Sequence, residues 1–329
     1  MSKFRAMRPV FADPKADSVF KRVFGEPAHK RILISFLDSL LGLQGDAQIA
    51  DIEYLTPEQR GPYVEEMKLS LVDVKCLDKR GTRYVVEMQV LSVAEFEKRV
   101  VYNVAKAYAT QLGVGDAYPM LNDVVGVTIC GFNLWPDSSS TPPIPMLSRF
   151  RFREDGGGNG HVLQQLRFVF LELEKYTKGE NFETIVDQWA HFFRQAETAR
   201  SIPANISEPT IRDAYEVVRM SSFTRDEFEI YDRDKLAEQT ARATAEKERA
   251  TGRAEGKAEG KAEGKAEGKA EGLAEGEAMG KAKGLRQAIV DLCDVLGISI
   301  SADQMKALEK AGIEELNTLR GRLKTERRL

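Results

Sequence analysis

Residues 68–91, KLSLVDVKCLDKRGTRYVVEMQVL, decide how this chain is read. Leu71, Val72, Val74 and Leu77 are apolar strand formers interrupted by Asp73; Tyr84, Val85, Val86, Met88 and Val90 are interrupted by Glu87 and Gln89. Between them, DKRG fits a three-residue loop, Lys79-Arg80-Gly81, with Gly81 in the left-handed conformation of a bulged hairpin turn. That register pairs Asp78 with Thr82 and sets Asp73 opposite Glu87, with Gln89 on the face of Glu87. Directly opposed strand residues have Cβ atoms about 4.5–5.5 Å apart. Two carboxylates that close repel unless a cation lies between them, so the hairpin is a candidate divalent-metal site. A four-residue loop would shift the pairing by one and send the acids to opposite faces. Acids on a solvated strand face would need no ligand at all. Both strands are nevertheless apolar on either side of the acids, as in strands buried on both faces, where an unpaired carboxylate is costly.

Working outward, Phe20, Val23 and Phe24, then Ile32, Leu33, Phe36, Leu37 and Leu40, fall at helical spacing and predict helices over 16–23 and 27–41, with Gly42 as a stop. A short strand, IADIEYL, and a Pro/Gly loop, TPEQRGPY, lead into the hairpin. Residues 94–112 predict a helix buried through Phe96, Val100, Val104, Ala107 and Leu112, with Arg99, Tyr102 and Lys106 sharing a face that could contact phosphate or simply be solvated. VVGVTICGFNLW (124–135) has the continuous apolar character of a central strand, and LQQLRFVFLEL follows the turn GGGNG as another. Helix, strand, hairpin, helix and strand in that order suit an α/β sheet with helices on its faces. NFETIVDQWAHFFRQAE and SEPTIRDAYEVVRMSSF then predict helices, the second starting at Ser207 and Pro209.

Residues 225–250 are a charged helical run, and 251–284 repeat the unit GKAE with glycine at every fourth position from 252. In its regular part Lys and Glu are separated by 2, 6 or 10 residues, so opposite charges never meet along one helix while like charges recur at i+4. Each interior glycine costs about 0.8–1 kcal/mol against alanine. An isolated helix is therefore marginal, and a flexible charged spacer is expected. Were it helical, Lys and Glu would form separate stripes able to face those of a second helix. LRQAIVDLCDVLGI, SADQMKALEKA with Ser301 as N-cap, and IEELNTLRGRL regain apolar spacing and predict a small helical module for self-association.

At 329 residues and 42% hydrophobic content, the chain can bury one ordinary core plus an appendage. With no apolar run of 18 residues and no apolar leader in MSKFRAMRPVF, neither a membrane span nor a secretory signal is expected. Cys76, Cys130 and Cys293 lie far apart and suit buried free thiols in a reducing cytoplasm. His29, His161 and His191 form no local pair, which argues against imidazole-based metal or nucleophilic chemistry. A net charge of −3 requires any DNA contact to come from a local basic patch.

With these residues in view, the chain resembles the recombination-promoting nuclease (Rpn) group, also described as transposases of the PD-(D/E)XK nuclease superfamily. The matching pieces run in order: PKADSVFKRVFG (14–25), RILISFLDSLLGL, Lys68, the VDVK segment with Asp73, EMQ at 87–89, KRVVYNVAKAYATQLGVGDAY with Arg99, Tyr102 and Gln111, and FLELEKY (170–176). They cover roughly residues 10–200. The resemblance implies a PD-(D/E)XK restriction-endonuclease-like core, a central mixed sheet flanked by helices, followed by an α-helical C-terminal extension. We divide the chain into a nuclease-like domain (1–200), a charged helical extension (201–250), the GKAE repeat (251–284) and the small helical module (285–329). The superfamily's triplet ends in Lys, whereas this chain has Gln89. Gln can orient a water but brings no charge, so Arg99, Lys106 or Lys75 would have to supply it.

The resemblance implies a Mg²⁺-dependent (or Mn²⁺-dependent) DNA endonuclease with a role in recombination or transposition. Asp73 and Glu87, with the carbonyl of Met88, would hold the metal; Gln89 would place the water and Arg99 would offset developing charge. Lys21, Lys75 and Lys106 are candidate phosphate contacts. Asp17 could serve a second metal, although an acid in a first helical turn also simply complements the helix dipole. The competing expectation is a catalytically weak or inactive nuclease-like scaffold that binds DNA or protein partners through its helical tail. The partners expected are DNA and a second copy of the chain through the C-terminal helical region, in the cytoplasm and without a membrane.

Overall fold

Apolar residues at helical spacing form the first two elements, α1 (Asp17–Phe24) and α2 (Lys30–Leu41), joined by the single turn Pro27–His29. The computed structural model describes residues 9–59, 70–136, 144–155 and 160–328, and the chain forms two compact units, Met1–Arg242 and Ala243–Leu329. In the first unit, Val19, Phe20, Val23, Phe24, Phe36 and Leu37 are all buried. Gly42 closes α2 at φ +70°, a conformation that costs a Cβ-bearing residue energy. Next come β1 (Ile52–Tyr54), a ribbon of β2 (Glu58–Gln59) and β3 (Ser70–Leu71), then β4 (Val74–Asp78) and β5 (Arg83–Gln89). They are followed by α3 (Phe96–Ala109), β6 (Val124–Cys130), β7 (Leu147–Arg153) and β8 (Val162–Glu172). The helices α4 (Ile185–Gln195) and α5 (Pro209–Val217) and the start of α6 (Arg225–Leu296) complete the unit.

The six-stranded sheet has the order β1-β4-β5-β6-β8-β7, with β5, β6 and β8 parallel and the outer pairs antiparallel. This is the mixed sheet with flanking helices expected from the sequence, and a long C-terminal helix follows it. All seven residues of β6 are buried, as a strand flanked by parallel neighbours and covered on both faces must be. On one face, Val74, Cys76, Val86, Val125 and Val127 pack with α1, α2, α4 and α5. There Phe24, Phe36, Trp189 and Phe193 form an aromatic cluster, Phe24 and Phe36 with ring centroids 5.1 Å apart. The other face packs beneath α3 through Val85, Phe168, Phe96, Val100 and Val104.

Several boundaries differ from those expected. The helix predicted over 94–112 spans Phe96–Ala109, and Leu112 lies half-buried beyond it. The N-cap of α5 is Glu208, whose carboxylate accepts from Thr210 N, while Ser207 receives the side chain of Gln188 instead. Strand β7 has no counterpart among the elements expected from the sequence. Lys68 and the second half of the loop TPEQRGPY (60–63) lie outside the described residues.

The flexible spacer expected at 251–284 is instead helical along its whole length, within α6. Residues 251–281 are exposed, and no ion pair joins the Lys and Glu of the repeat among the described residues. The physical reason lies at its ends. Nucleation is the expensive step of helix formation, and the repeat needs only to propagate from helical segments on either side. In the second unit, the end of α6 packs with α7 (Ala302–Lys310) and α8 (Ile313–Glu326) around Ile289, Cys293, Leu308, Leu316 and Leu323. Ser301 caps α7 in a reciprocal box with Gln304, as expected. No helix among the described residues is long and apolar enough to cross a membrane.

The start of α6 is tied into the first unit by a buried charge network. Asp13 accepts from Lys15 Nζ at 2.7 Å and from Lys235 Nζ at 2.9 Å, while the Asp13 amide donates to Tyr231 Oη. Burial alone would push the Asp13 pKa up, but the two ammonium groups hold it below the ordinary carboxylate range. A chain ending at residue 250 should therefore unfold in one cooperative transition, within about 2–4 °C of the full chain. A chain ending at residue 224, which strands Asp13 without Lys235 and Tyr231, should melt well below that; equal midpoints by differential scanning calorimetry would show the network to be dispensable.

Candidate active site

The turn between β4 and β5 is built on Asp78. Its carboxylate accepts from the amides of Arg80 (2.9 Å) and Thr82 (3.0 Å) and from Tyr84 Oη (3.1 Å), and Gly81 takes φ +85°. The ladder pairs Val74 with Val86 and Leu77 with Arg83. This is the three-residue-loop register, and it puts Asp73 one step beyond the last pair, at the level of Glu87. At Asp73 the chain bends, and its Oδ2 accepts the Met88 amide at 2.7 Å in place of a ladder bond.

The two acids line one open cleft of about 900 Å³ at the C-terminal end of β5, together with Met88, Gln89, Arg99 and Asn103. Glu87 is buried against α3, its Oε1 accepting Asn103 Nδ2 at 2.6 Å and its Oε2 lying 3.9 Å from Arg99 Nη2. Gln89 Oε1 accepts Arg99 Nη2 at 2.5 Å, and its Nε2 donates to Leu91 O at 2.8 Å. Burial pushes the pKa of Asp73 up; the Met88 amide offsets part of this, Asp17 adds to it, and Lys21 and Arg99 counter it. Burial also pushes Glu87 up, with Asn103 and Arg99 pulling back and Asp73 adding repulsion. Each acid thus holds its charge at a cost that a bound cation would relieve.

The remaining predicted residues are less central to this cleft. Asp17 pairs with Lys21 at 2.8 Å on α1 and lines a smaller hollow of about 320 Å³ with Asp73, Met88 and Gln89. Lys75 is buried on the Asp73 strand, and its pKa is lowered first by burial and then by Arg83 and Lys106. Lys106 is also buried, 5.7 Å from the Tyr102 ring, and so is not on the solvated helix side that was one of its two expected settings. Of the proposed cations, Arg99 alone lines the same cleft as Asp73 and Glu87.

Asn103 was missed. Its signal was available, because it interrupts the apolar stripe of α3 next to Val104 and Val100 on the buried side. A buried amide there needs a polar partner, and Glu87 is that partner. No three His, Cys, Asp or Glu side chains converge into a metal cage among the described residues. The donor set is two carboxylates, each with one oxygen already oriented by an amide donor. Hard oxygen ligands of this kind suit Mg²⁺ or Mn²⁺, which bind through one or two carboxylates and keep several waters.

Residues 14–247 match the family model described as PD-(D/E)XK nuclease family transposase. No curated protein and no solved structure matches the chain.

The raised carboxyl pKa values have a stability consequence. A carboxyl titrating higher in the folded than in the unfolded state binds more protons when folded, so stability falls as pH rises through that window. Asp73→Asn and Glu87→Gln should therefore raise the melting temperature at pH 7, by about 2–4 °C for each kcal/mol relieved. The gain should shrink as pH falls through the raised folded pKa towards the ordinary carboxylate value. Thermal melts at several pH values check this; a gain independent of pH would assign it to packing instead.

Proposed function

The chain belongs to the PD-(D/E)XK nuclease family transposases, and on that premise we propose that it is a Mg²⁺- or Mn²⁺-dependent DNA endonuclease acting in recombination or transposition. The supporting observation is that Asp73 and Glu87, both destabilised as anions, line one cleft with Gln89 and Arg99. Asp73 and Glu87 would hold the ion with the Met88 carbonyl. When bound, it supplies a Lewis acid that polarises phosphate and acidifies water.

The residues of the chain prepare this site. The Met88 amide and Asn103 each occupy one carboxylate oxygen and fix both side chains; the oxygens they leave are Asp73 Oδ1 and Glu87 Oε2, the latter paired with Arg99 at 3.9 Å. Gln89 stands where the superfamily has lysine and carries no charge, but it receives Arg99, so the cation reaches the cleft from α3. There Arg99 can offset charge developing on phosphate. Lys21, Lys75 and Lys106 are secondary candidates for phosphate contact, and Asp17 for a second metal. The C-terminal helical unit is assigned to self-association, and the protein to the cytoplasm.

One observation favours a second reading, a nuclease-like scaffold without cleavage. The Gln89 amide is spent on Arg99 and Leu91 O, so positioning a water requires Arg99 to let go.

Nicking of supercoiled plasmid, with Mg²⁺ or with chelator, separates the two. Asp73→Ala and Glu87→Ala should abolish metal-dependent nicking. Arg99→Ala should lower it by about 10²-fold or more with little loss of Mn²⁺ affinity, and Gln89→Lys should stay measurably active. Acid variants that nick as well as the wild type at equal Mg²⁺ would remove the hairpin from the active site and leave the scaffold.

A further inference from the structure

Strand β7, LSRFRFR, is the outermost strand of the sheet, and every residue from Arg149 to Arg153 is exposed. Phe150 and Phe152 keep 44% and 50% of their surface in solvent. Phe150 is not a stray side chain. Its ring stands 5.2 Å from Trp135 and 5.8 Å from Phe170, extending the aromatic layer that continues under α3. It therefore shares the sheet face of Glu87. A long exposed edge bearing aromatic residues invites aggregation, and edges without a partner are usually blunted. Here arginines do the blunting: Arg151 leaves the face opposite Phe150, the ladder shifts register between Arg151 and Phe152, and Arg153 lies with its guanidinium against Gly160; among the described residues neither arginine forms a side-chain hydrogen bond or ion pair. Arg149 is engaged with Leu40 O. Glu154 and Asp155 follow the strand rather than interleave with it.

We infer that β7 is a binding platform for unpaired DNA, with bases stacking on Phe150 and Phe152 and phosphates drawn by Arg151 and Arg153. Stacking on aromatic faces with flanking cations is how single strands are held without sequence preference. Because β7 has a strand neighbour on one side only among the described residues, Arg151 can swing round the open edge towards a strand lying on the Phe150 face, and Arg153 can do so by leaving Gly160. Duplex DNA fits this surface poorly, since its bases are already stacked on one another. The inference deepens the nuclease reading by naming the substrate class, DNA with an unpaired segment next to the site of cleavage. The charge pattern selects this occupant over a protein strand: an added β-strand would be held by backbone hydrogen bonds and has no need of unpaired arginines.

The test is fluorescence anisotropy of the full chain in chelator with labelled oligothymidylate of about 12 nucleotides, against a duplex of equal length. Phe150→Leu with Phe152→Leu keeps apolar bulk and removes the rings; it should weaken oligothymidylate binding about tenfold or more and affect the duplex much less. Phe150→Trp with Phe152→Trp should restore binding, which excludes misfolding as the cause. Arg151→Ala with Arg153→Ala should flatten the dependence of log affinity on log salt by about 0.7 for each phosphate no longer neutralised. Single-strand binding unchanged in the leucine variant, or falling equally for duplex, would overturn the inference. So would a wild-type dimer that the leucine variant dissolves without loss of oligonucleotide binding, which would make β7 a protein interface. Binding is read without divalent ions, so this result stands apart from whether Asp73 and Glu87 support cleavage.

Discussion

The buried carboxylate of Asp78 fixes the register on which the candidate site depends. It accepts from two turn amides and the Tyr84 hydroxyl, and so holds the three-residue loop in this register. Gly81 supplies the left-handed corner; a Cβ there would also collide with Asn122 Oδ1. Strand side chains alternate faces with period two, so a slip of one residue would carry Asp73 away from Glu87 and bury polar groups among the apolar residues of the opposite face. The juxtaposition of two acids is thus set at a turn five residues away from the first of them.

Bringing carboxylates together in a partly dry cleft works against folding, and the rest of the unit offsets it. One face of the sheet is closed by four helices around an aromatic cluster, with ring pairs worth about 0.5–1.5 kcal/mol each beyond burial. On that same side the Asp13–Lys15–Lys235 network fastens the start of α6. The other face is thinner, with α3 as its helical cover, and it is the face that carries Glu87, Arg99 and the exposed Phe150 of β7. The candidate sites lie where cover is least, as expected if binding needs surface and stability needs layers.

Much of this is legible in the sequence because it is local. The hairpin register follows from DKRG and from alternation, and helices α1 and α2 follow from 3.6-residue spacing. Asn103 escapes notice because its meaning depends on Glu87, sixteen residues earlier and across a helix–sheet contact. The buried state of Lys75 and Lys106 is hidden because a lysine stem covers apolar surface while its charge looks solvated. Strand β7 lies between proline- and glycine-rich segments that read as loop, and they mask its Arg/Phe alternation. The repeat differs from expectation for another reason. Its charge spacing disfavours an isolated helix, whereas in the chain it continues a helix that is already nucleated.

The central claim is that Asp73 and Glu87 form one divalent-cation site. Anomalous diffraction from crystals grown with Mn²⁺ tests it without reference to turnover. One strong peak beside the Asp73 and Glu87 carboxylates, lost in Glu87→Gln, is the predicted result. A Mn²⁺-saturated crystal with no peak between these carboxylates would contradict it.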